Sequence, residues 1–169
     1  TAEDFYESAV AFGRFQNLLI DFPTHTLGET IPDFHDTVKR YAAFKQAVEQ
    51  DVCGRAAGAQ REIEFVLERE DFASIFVDYI ASGQVPLRVT HNDAKLNNVL
   101  FDKNTRKGLC VIDLDTVMPG VVMNDFGDAI RFGASTAAED EKDLDKVEMS
   151  LELFEAFVKG FLHTCGSSL

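Results

Sequence analysis

The stretch Val89-Thr90-His91-Asn92-Asp93-Ala94-Lys95-Leu96-Asn97-Asn98-Val99-Leu100-Phe101 gathers side chains able to do chemistry, and Val111-Ile112-Asp113-Leu114-Asp115 follows shortly after it. The spacing is H-x-D-x-K-x-x-N, then an Asp at the end of an apolar run. An ionised Asp93 can orient an alcohol and accept its proton. Lys95 supplies a positive charge suited to oxygens on which negative charge develops. Asn98 and Asp113 offer an amide oxygen and a carboxylate, hard donors that suit magnesium at about 2.0 to 2.1 Å. A base at an acceptor hydroxyl, a divalent ion bridging phosphates and a cation over the transferring group are the parts of phosphoryl transfer.

Each of these residues also has a plainer reading. Asp93 and Asn98 are residue types that form turns and cap local backbone, and Lys95 taken alone reads as a surface charge. His91 reads as a hydrogen-bonding brace for the loop rather than as an acid or base. Asp115 lies on the same face as Asp113, since strand side chains alternate with period two, and either joins the metal site or touches substrate. Asn92 and Tyr41, with Phe34 and His35 nearby in sequence, are candidate substrate contacts. Asp125-Phe126-Gly127-Asp128 looks like the metal-binding D-F-G of protein kinases but lies 27 residues after Asn98, ahead of an expected helix. Since Asp113 already fills the metal role, Asp125 and Asp128 are expected to cap that helix and brace the loop.

These side chains need a scaffold. Short apolar runs at Pro86–Thr90, Asn98–Phe101 and Gly108–Leu114 read as strands bounded by turn residues. The polar string Asp102–Gly108 between two of them reads as a hairpin loop, with Gly108 at its positive-φ position. Symmetric pairing puts Asn98 opposite Asp113, where directly opposed side chains stand about 4.5 to 5.5 Å apart at Cβ. Helical spacing predicts helices over Ala2–Ile20, about Asp33–Gln50 behind Pro32, and about Arg61–Ala81 with an interruption near Asp71. Further helices are expected over Asn124–Phe132 and about Leu144–His163. The acidic span Ala137–Asp145 reads as a solvated loop or helix face.

Composition bounds the function. The 169 residues are 46% apolar and 27% charged, which is globular and long enough for a core of its own. With 29 acidic residues against 16 basic ones, the net charge of -13 opposes binding to nucleic acid or to an anionic membrane surface. No run approaches the roughly 18 to 20 apolar residues of a membrane span, and the N-terminus lacks a signal pattern. The three cysteines, Cys53, Cys110 and Cys165, have neither disulfide nor zinc spacing, which fits a cytoplasmic setting.

The run Thr-His-Asn-Asp-Ala-Lys-Leu-Asn-Asn-Val-Leu, then Cys-Val-Ile-Asp-Leu-Asp-Thr-Val-Met-Pro-Gly, then Asp-Phe-Gly-Asp-Ala-Ile-Arg-Phe-Gly-Ala resembles the aminoglycoside phosphotransferase and choline kinase superfamily. Within it, the residues look most like the N-acetylhexosamine 1-kinases, over about Leu87–Gly133. The resemblance implies a mainly α fold with a small β hairpin (α+β), the C-terminal lobe of a protein-kinase-like fold. A catalytic loop would occupy 91–98 and a metal-site hairpin 98–115. It also implies ATP- and Mg²⁺-dependent phosphorylation of the anomeric hydroxyl of an amino sugar, N-acetylglucosamine or N-acetylgalactosamine. Asp93 would be the base, Asn98 and Asp113 the Mg²⁺ ligands, and Lys95 a contact to the nucleotide phosphates. Ala94 departs from the hydroxyl residue expected in the nearest relatives. Residues 1–169 contain no Gly-rich strand-turn-strand and no V-A-I-K-like lysine ahead of the loop. The chain is therefore expected to be a single catalytic lobe without its N-terminal ATP lobe, part of a longer protein and inactive alone. Other small hydroxyl substrates (aminoglycoside, choline, homoserine) and a non-catalytic sugar-binding or interaction module are the alternatives. The C/S-x-P-x-R motif of sulfatases is missing at all three cysteines. Oligomeric state is not legible in the sequence.

Overall fold

Thr1 starts the first helix, α1 (Ala2–Leu18), through a capping box: its hydroxyl accepts the Asp4 N–H at 3.2 Å while the Asp4 carboxylate accepts from the Thr1 amine at 3.2 Å. In the computed structural model, which covers residues 1–169, helices take 56% of the chain and the strands form two small antiparallel ribbons. That is the expected α+β class with a small hairpin, consistent with a kinase-like C-terminal lobe. The chain divides into two compact units, Thr1–Thr30 with Leu87–Leu169, and Ile31–Pro86.

In the first unit α1 turns Phe5, Ala9 and Phe12 toward α6 (Leu151–Cys165), whose Phe157, Phe161 and Cys165 are equally buried. The Phe5 and Phe157 rings meet at 4.8 Å. A Cβ at Gly160 would sit 2.5 Å from the Tyr6 carbonyl oxygen, so only glycine lets the two helices approach this closely. α6 starts later than its apolar pattern does. Leu144–Lys146 form a short 3-10 turn, Ser135 and Met149 form a β-bridge, and Ser150 then caps the helix by accepting the Leu153 N–H.

Two ribbons complete this unit. β1 (Arg88–Thr90) pairs with β4 (Met118–Gly120), a strand that sequence periodicity did not reveal, and β2 (Val99–Phe101) pairs with β3 (Gly108–Val111). The hairpin differs from expectation in two respects. Val99 faces Val111 and a register shift follows Leu100, so Ile112, not Asp113, stands at the level of Asn98, with the Ile112 N–H on the Asn98 carbonyl at 2.9 Å. The loop's left-handed residue is Arg106 (φ 59°) rather than Gly108. Gly108 is needed for proximity instead: a Cβ there would lie 3.2 Å from the Glu7 carbonyl oxygen and 3.3 Å from the Ala11 methyl on α1.

α5 (Val122–Gly133) follows β4 directly, and Val121 precedes it without a side-chain cap. Asp125 and Asp128 therefore do not cap the helix. Asp125 lies a turn inside it, with its carboxylate engaged elsewhere.

The second unit holds α2 (Thr37–Gln50), capped by Asp36 rather than led by Pro32, then α3 (Gln60–Leu67) and α4 (Ile75–Ala81). The pattern over 61–81 is indeed interrupted around Asp71, where Glu70–Phe72 form a 3-10 turn. Its wide apolar stripe is not a core. Within this unit only Ile63 is buried, and Phe72 is 70% exposed.

Candidate active site

The loop after β1 is held by backbone-directed polar contacts on every side. Thr90, fully buried, places its hydroxyl within 3.0 Å of both the Met118 carbonyl on β4 and the Asn92 amide oxygen. Asn92 takes a left-handed conformation (φ 65°), which asparagine tolerates better than most residues. Its amide donates to the Thr116 carbonyl at 2.9 Å and the Thr116 hydroxyl donates to the His91 carbonyl at 2.7 Å, so loop and post-hairpin turn clamp each other. Asn92 thus turns inward to the backbone.

His91 is fully buried, with the Phe12 and Phe15 rings edge-on to it at 5.5 and 5.9 Å. Its Nδ1 accepts the Asp93 N–H at 3.3 Å, which leaves Nε2 to donate to the Ile112 carbonyl at 2.9 Å. The imidazole thereby connects the loop to the end of the hairpin.

Asp125 closes the loop from below. One carboxylate oxygen accepts the His91 N–H at 2.9 Å and the Gln16 amide at 3.0 Å, and the other accepts the Asn92 N–H at 2.8 Å. Burial pushes this carboxyl's pKa up, and the hydrogen bonds from His91 and Asn92 pull against that shift. Gln16 had no place in the sequence reading. Its only signal was a polar residue on the buried stripe of α1, four positions past Phe12.

Asp93, half-buried, sits between two donors. Its Oδ1 lies 3.2 Å from the Lys95 ammonium and its Oδ2 accepts the Asn98 amide at 2.9 Å, while the same Asn98 nitrogen also reaches the Asp93 carbonyl at 2.9 Å. Asn98 is buried, its amide nitrogen is used in this way, and its amide oxygen has no hydrogen-bond partner. Lys95 extends past Asp93 to Glu139 at 3.8 Å and over the Phe132 ring at 5.7 Å. The bond to Asp93, chiefly, raises its pKa above the usual lysine value. Glu139 is paired in turn with Arg131 at 2.9 Å, and Arg131 with Asp128 at 2.9 Å. Asp128 therefore belongs to this ion-pair chain and makes no bond to the loop backbone.

Asp113 follows Ile112 in a left-handed conformation (φ 63°), exposed and without a hydrogen bond or ion pair. Asp115 is exposed in the 3-10 turn Leu114–Thr116. The strand has ended at Val111, so two-residue alternation does not carry Asp115 onto the face of Asp113. Tyr41 belongs to the second unit, where its hydroxyl donates to the Leu67 carbonyl at 3.3 Å and the Lys45 ammonium lies 4.8 Å from its ring.

The pattern that defines the phosphotransferase enzyme family (APH) matches residues 2–154. The chain belongs to this family. As an APH phosphotransferase it is a kinase-like enzyme of the superfamily that acts on small molecules. The loop Asp93–Asn98 and the residues that fasten it all fall inside the matched span. No helix is long and apolar enough to cross a membrane.

Proposed function

We propose that this chain is the catalytic lobe of an ATP- and Mg²⁺-dependent kinase that phosphorylates the anomeric hydroxyl of N-acetylhexosamines. The observation that carries the reading is the setting of Asp93. Its carboxylate is fixed by Lys95 on one oxygen and Asn98 on the other, in a loop whose backbone is bonded to Thr116 and Asp125 and whose His91 imidazole is bonded to the Ile112 carbonyl. A carboxylate so fixed is pre-oriented to take a proton from an alcohol, and orientation supplies much of the rate in phosphoryl transfer.

The donor set fits a hard cation. Asn98 presents an unpartnered amide oxygen, and Asp113 an unpaired carboxylate one residue beyond the backbone partner of Asn98. These two would hold Mg²⁺, which when bound neutralises charge on the nucleotide phosphates. Asp93 accepts the proton of the acceptor hydroxyl as that oxygen forms its bond to the γ-phosphorus. The bond from that phosphorus to the bridging oxygen breaks, its electron pair stays on ADP, and the Lys95 ammonium, 3.2 Å from Asp93, supplies positive charge beside the transferring oxygens. The amino sugar is favoured by the resemblance of residues 87–133 to the N-acetylhexosamine 1-kinases.

The test is ³¹P NMR on the full-length protein with ATP, Mg²⁺ and, separately, N-acetylglucosamine, N-acetylgalactosamine, an aminoglycoside, choline and homoserine. A sugar 1-phosphate resonance is expected with the two amino sugars. Transfer only to another acceptor would overturn the substrate, and saturable sugar binding with no transfer to any acceptor would overturn the kinase reading.

A further inference from the structure

α1 carries three buried polar residues, and two of them are satisfied away from the catalytic loop. Ser8 returns its hydroxyl to the Phe5 carbonyl at 2.8 Å, and Glu7 pairs with Lys107. Gln16, 4% exposed, differs. Its single amide nitrogen bridges two segments distant in sequence, donating to the Val89 carbonyl on β1 at 3.2 Å and to Asp125 Oδ2 on α5 at 3.0 Å. Its amide oxygen is buried with no donor.

That asymmetry is informative. A buried unpartnered acceptor costs stability, so as a packing element Gln16 is a poor choice compared with an apolar side chain of its size. Its orientation is also fixed: turning the amide over would aim its oxygen at the Asp125 carboxylate and the Val89 carbonyl, two acceptors, and would lose both bonds. What Gln16 contributes is a double donor at one point in space, where the entry to the catalytic loop and the carboxylate beneath it meet. The carboxylate it touches is the one that receives the His91 and Asn92 N–H groups, immediately before Asp93.

We infer that Gln16 is a positioning residue for phosphoryl transfer, locking Asp125 and the end of β1 together so that the loop presents Asp93 at a fixed place. This rests on the assignment of Asp93 as the base. Burial already presses Asp125 toward its neutral form, in which one oxygen becomes a donor and can no longer accept from both sides. A second donor on Oδ2 favours the ionised form that cradles both loop amides. The cradle is thus set from α1, outside the motif that carries the chemistry.

The experiment compares Gln16→Met with Asn17→Ala in the full-length protein. Gln16→Met keeps the length, removes both donated bonds and also removes the orphaned acceptor, so its effect on folding is offset in part. Asn17 is the matched control: its amide is tied to α6, donating to the Thr164 carbonyl at 2.6 Å and accepting the Ser168 hydroxyl at 2.5 Å, and it touches no part of the loop. For Gln16→Met we expect kcat to fall at least tenfold with both KM values within about twofold, and hydrogen exchange at the His91 and Asn92 amides to quicken at least tenfold over amides in α6. Asn17→Ala should lower thermal stability while leaving kcat per folded molecule and loop exchange unchanged. Wild-type kcat and exchange in Gln16→Met would overturn the inference, as would equal losses in both variants that simply follow stability. Should Gln16→Met not fold, Gln16→Asn, a methylene too short to span both acceptors, is read by the same criteria. A wild-type protein that transfers no phosphate removes the proposed function. Unchanged loop exchange in Gln16→Met, beside a wild-type enzyme that does transfer phosphate, removes this inference alone.

Discussion

Asp93 is the residue on which the proposed chemistry turns, and its two oxygens are differently engaged. Replacing it with asparagine keeps the volume and the contact to Asn98 but abolishes proton acceptance and the attraction to Lys95. For Asp93→Asn we expect kcat to fall by about 10² to 10⁴, the usual contribution of a positioned base, with nucleotide affinity measured by calorimetry within a few-fold of wild type. Turnover close to wild type would remove Asp93 from the base role. Residue types and spacing alone were enough to single out Asp93, Lys95, Asn98 and Asp113. They could not show that the amide nitrogen of Asn98 would be spent on Asp93, leaving only its oxygen, nor that Gln16 would come to lie under the loop. Both depend on tertiary neighbours that no local pattern encodes.

At the level of elements, periodicity located the helices of the first unit because their buried faces recur at 3.6 residues. It misjudged the hairpin register by one place. Symmetric pairing ignores the bulge after Leu100 and the loop in which Asp102 accepts the N–H groups of Asn104 and Thr105 at 2.9 and 2.7 Å. In the second unit it found an apolar stripe without revealing that most of it is exposed, since a pattern of spacing does not say what covers a face.

Two elements invite measurement. Phe157 is fully buried between Phe5 and Phe161, so Phe157→Ala should cost about 3 to 5 kcal/mol in chemical denaturation. A loss under 1 kcal/mol would mean the α1–α6 crossing is not the core. At the N-terminus of α1, the Arg106 guanidinium, then Thr1, hold the Asp4 carboxyl well below the usual aspartate range. A depressed carboxyl contributes stability above its unfolded value near 3.9 and loses it as pH falls toward the folded value. The gap in melting temperature between wild type and Arg106→Gln should therefore be constant above about pH 5 and narrow below about pH 4. A gap that widens in acid would contradict the pairing.

For the whole molecule, a net charge of -13, which opposes binding to nucleic acid, is compatible with the proposed reaction, in which a divalent cation would offset phosphate charge. Residues 1–169 hold the side chains proposed to act on an acceptor but no Gly-rich strand-turn-strand that could cover a nucleotide. Purified alone, the 169-residue chain is expected to transfer no phosphate from ATP to an amino sugar above background in a coupled ADP-release assay. Clear turnover would show that the donor site is complete within these residues.

The bond from Gln16 to Asp125 spans 109 positions of the chain. The loop that carries Asp93 is fastened by polar contacts of this kind, each worth about 0.5 to 1.5 kcal/mol net, whereas α1 and α6 are joined by a buried aromatic cluster. The segment bearing Asp93 is therefore expected to open at lower cost than the α1–α6 core. On warming or partial denaturation it should slacken before the bulk of the protein does, and turnover should vanish while circular dichroism still reports a native helix content.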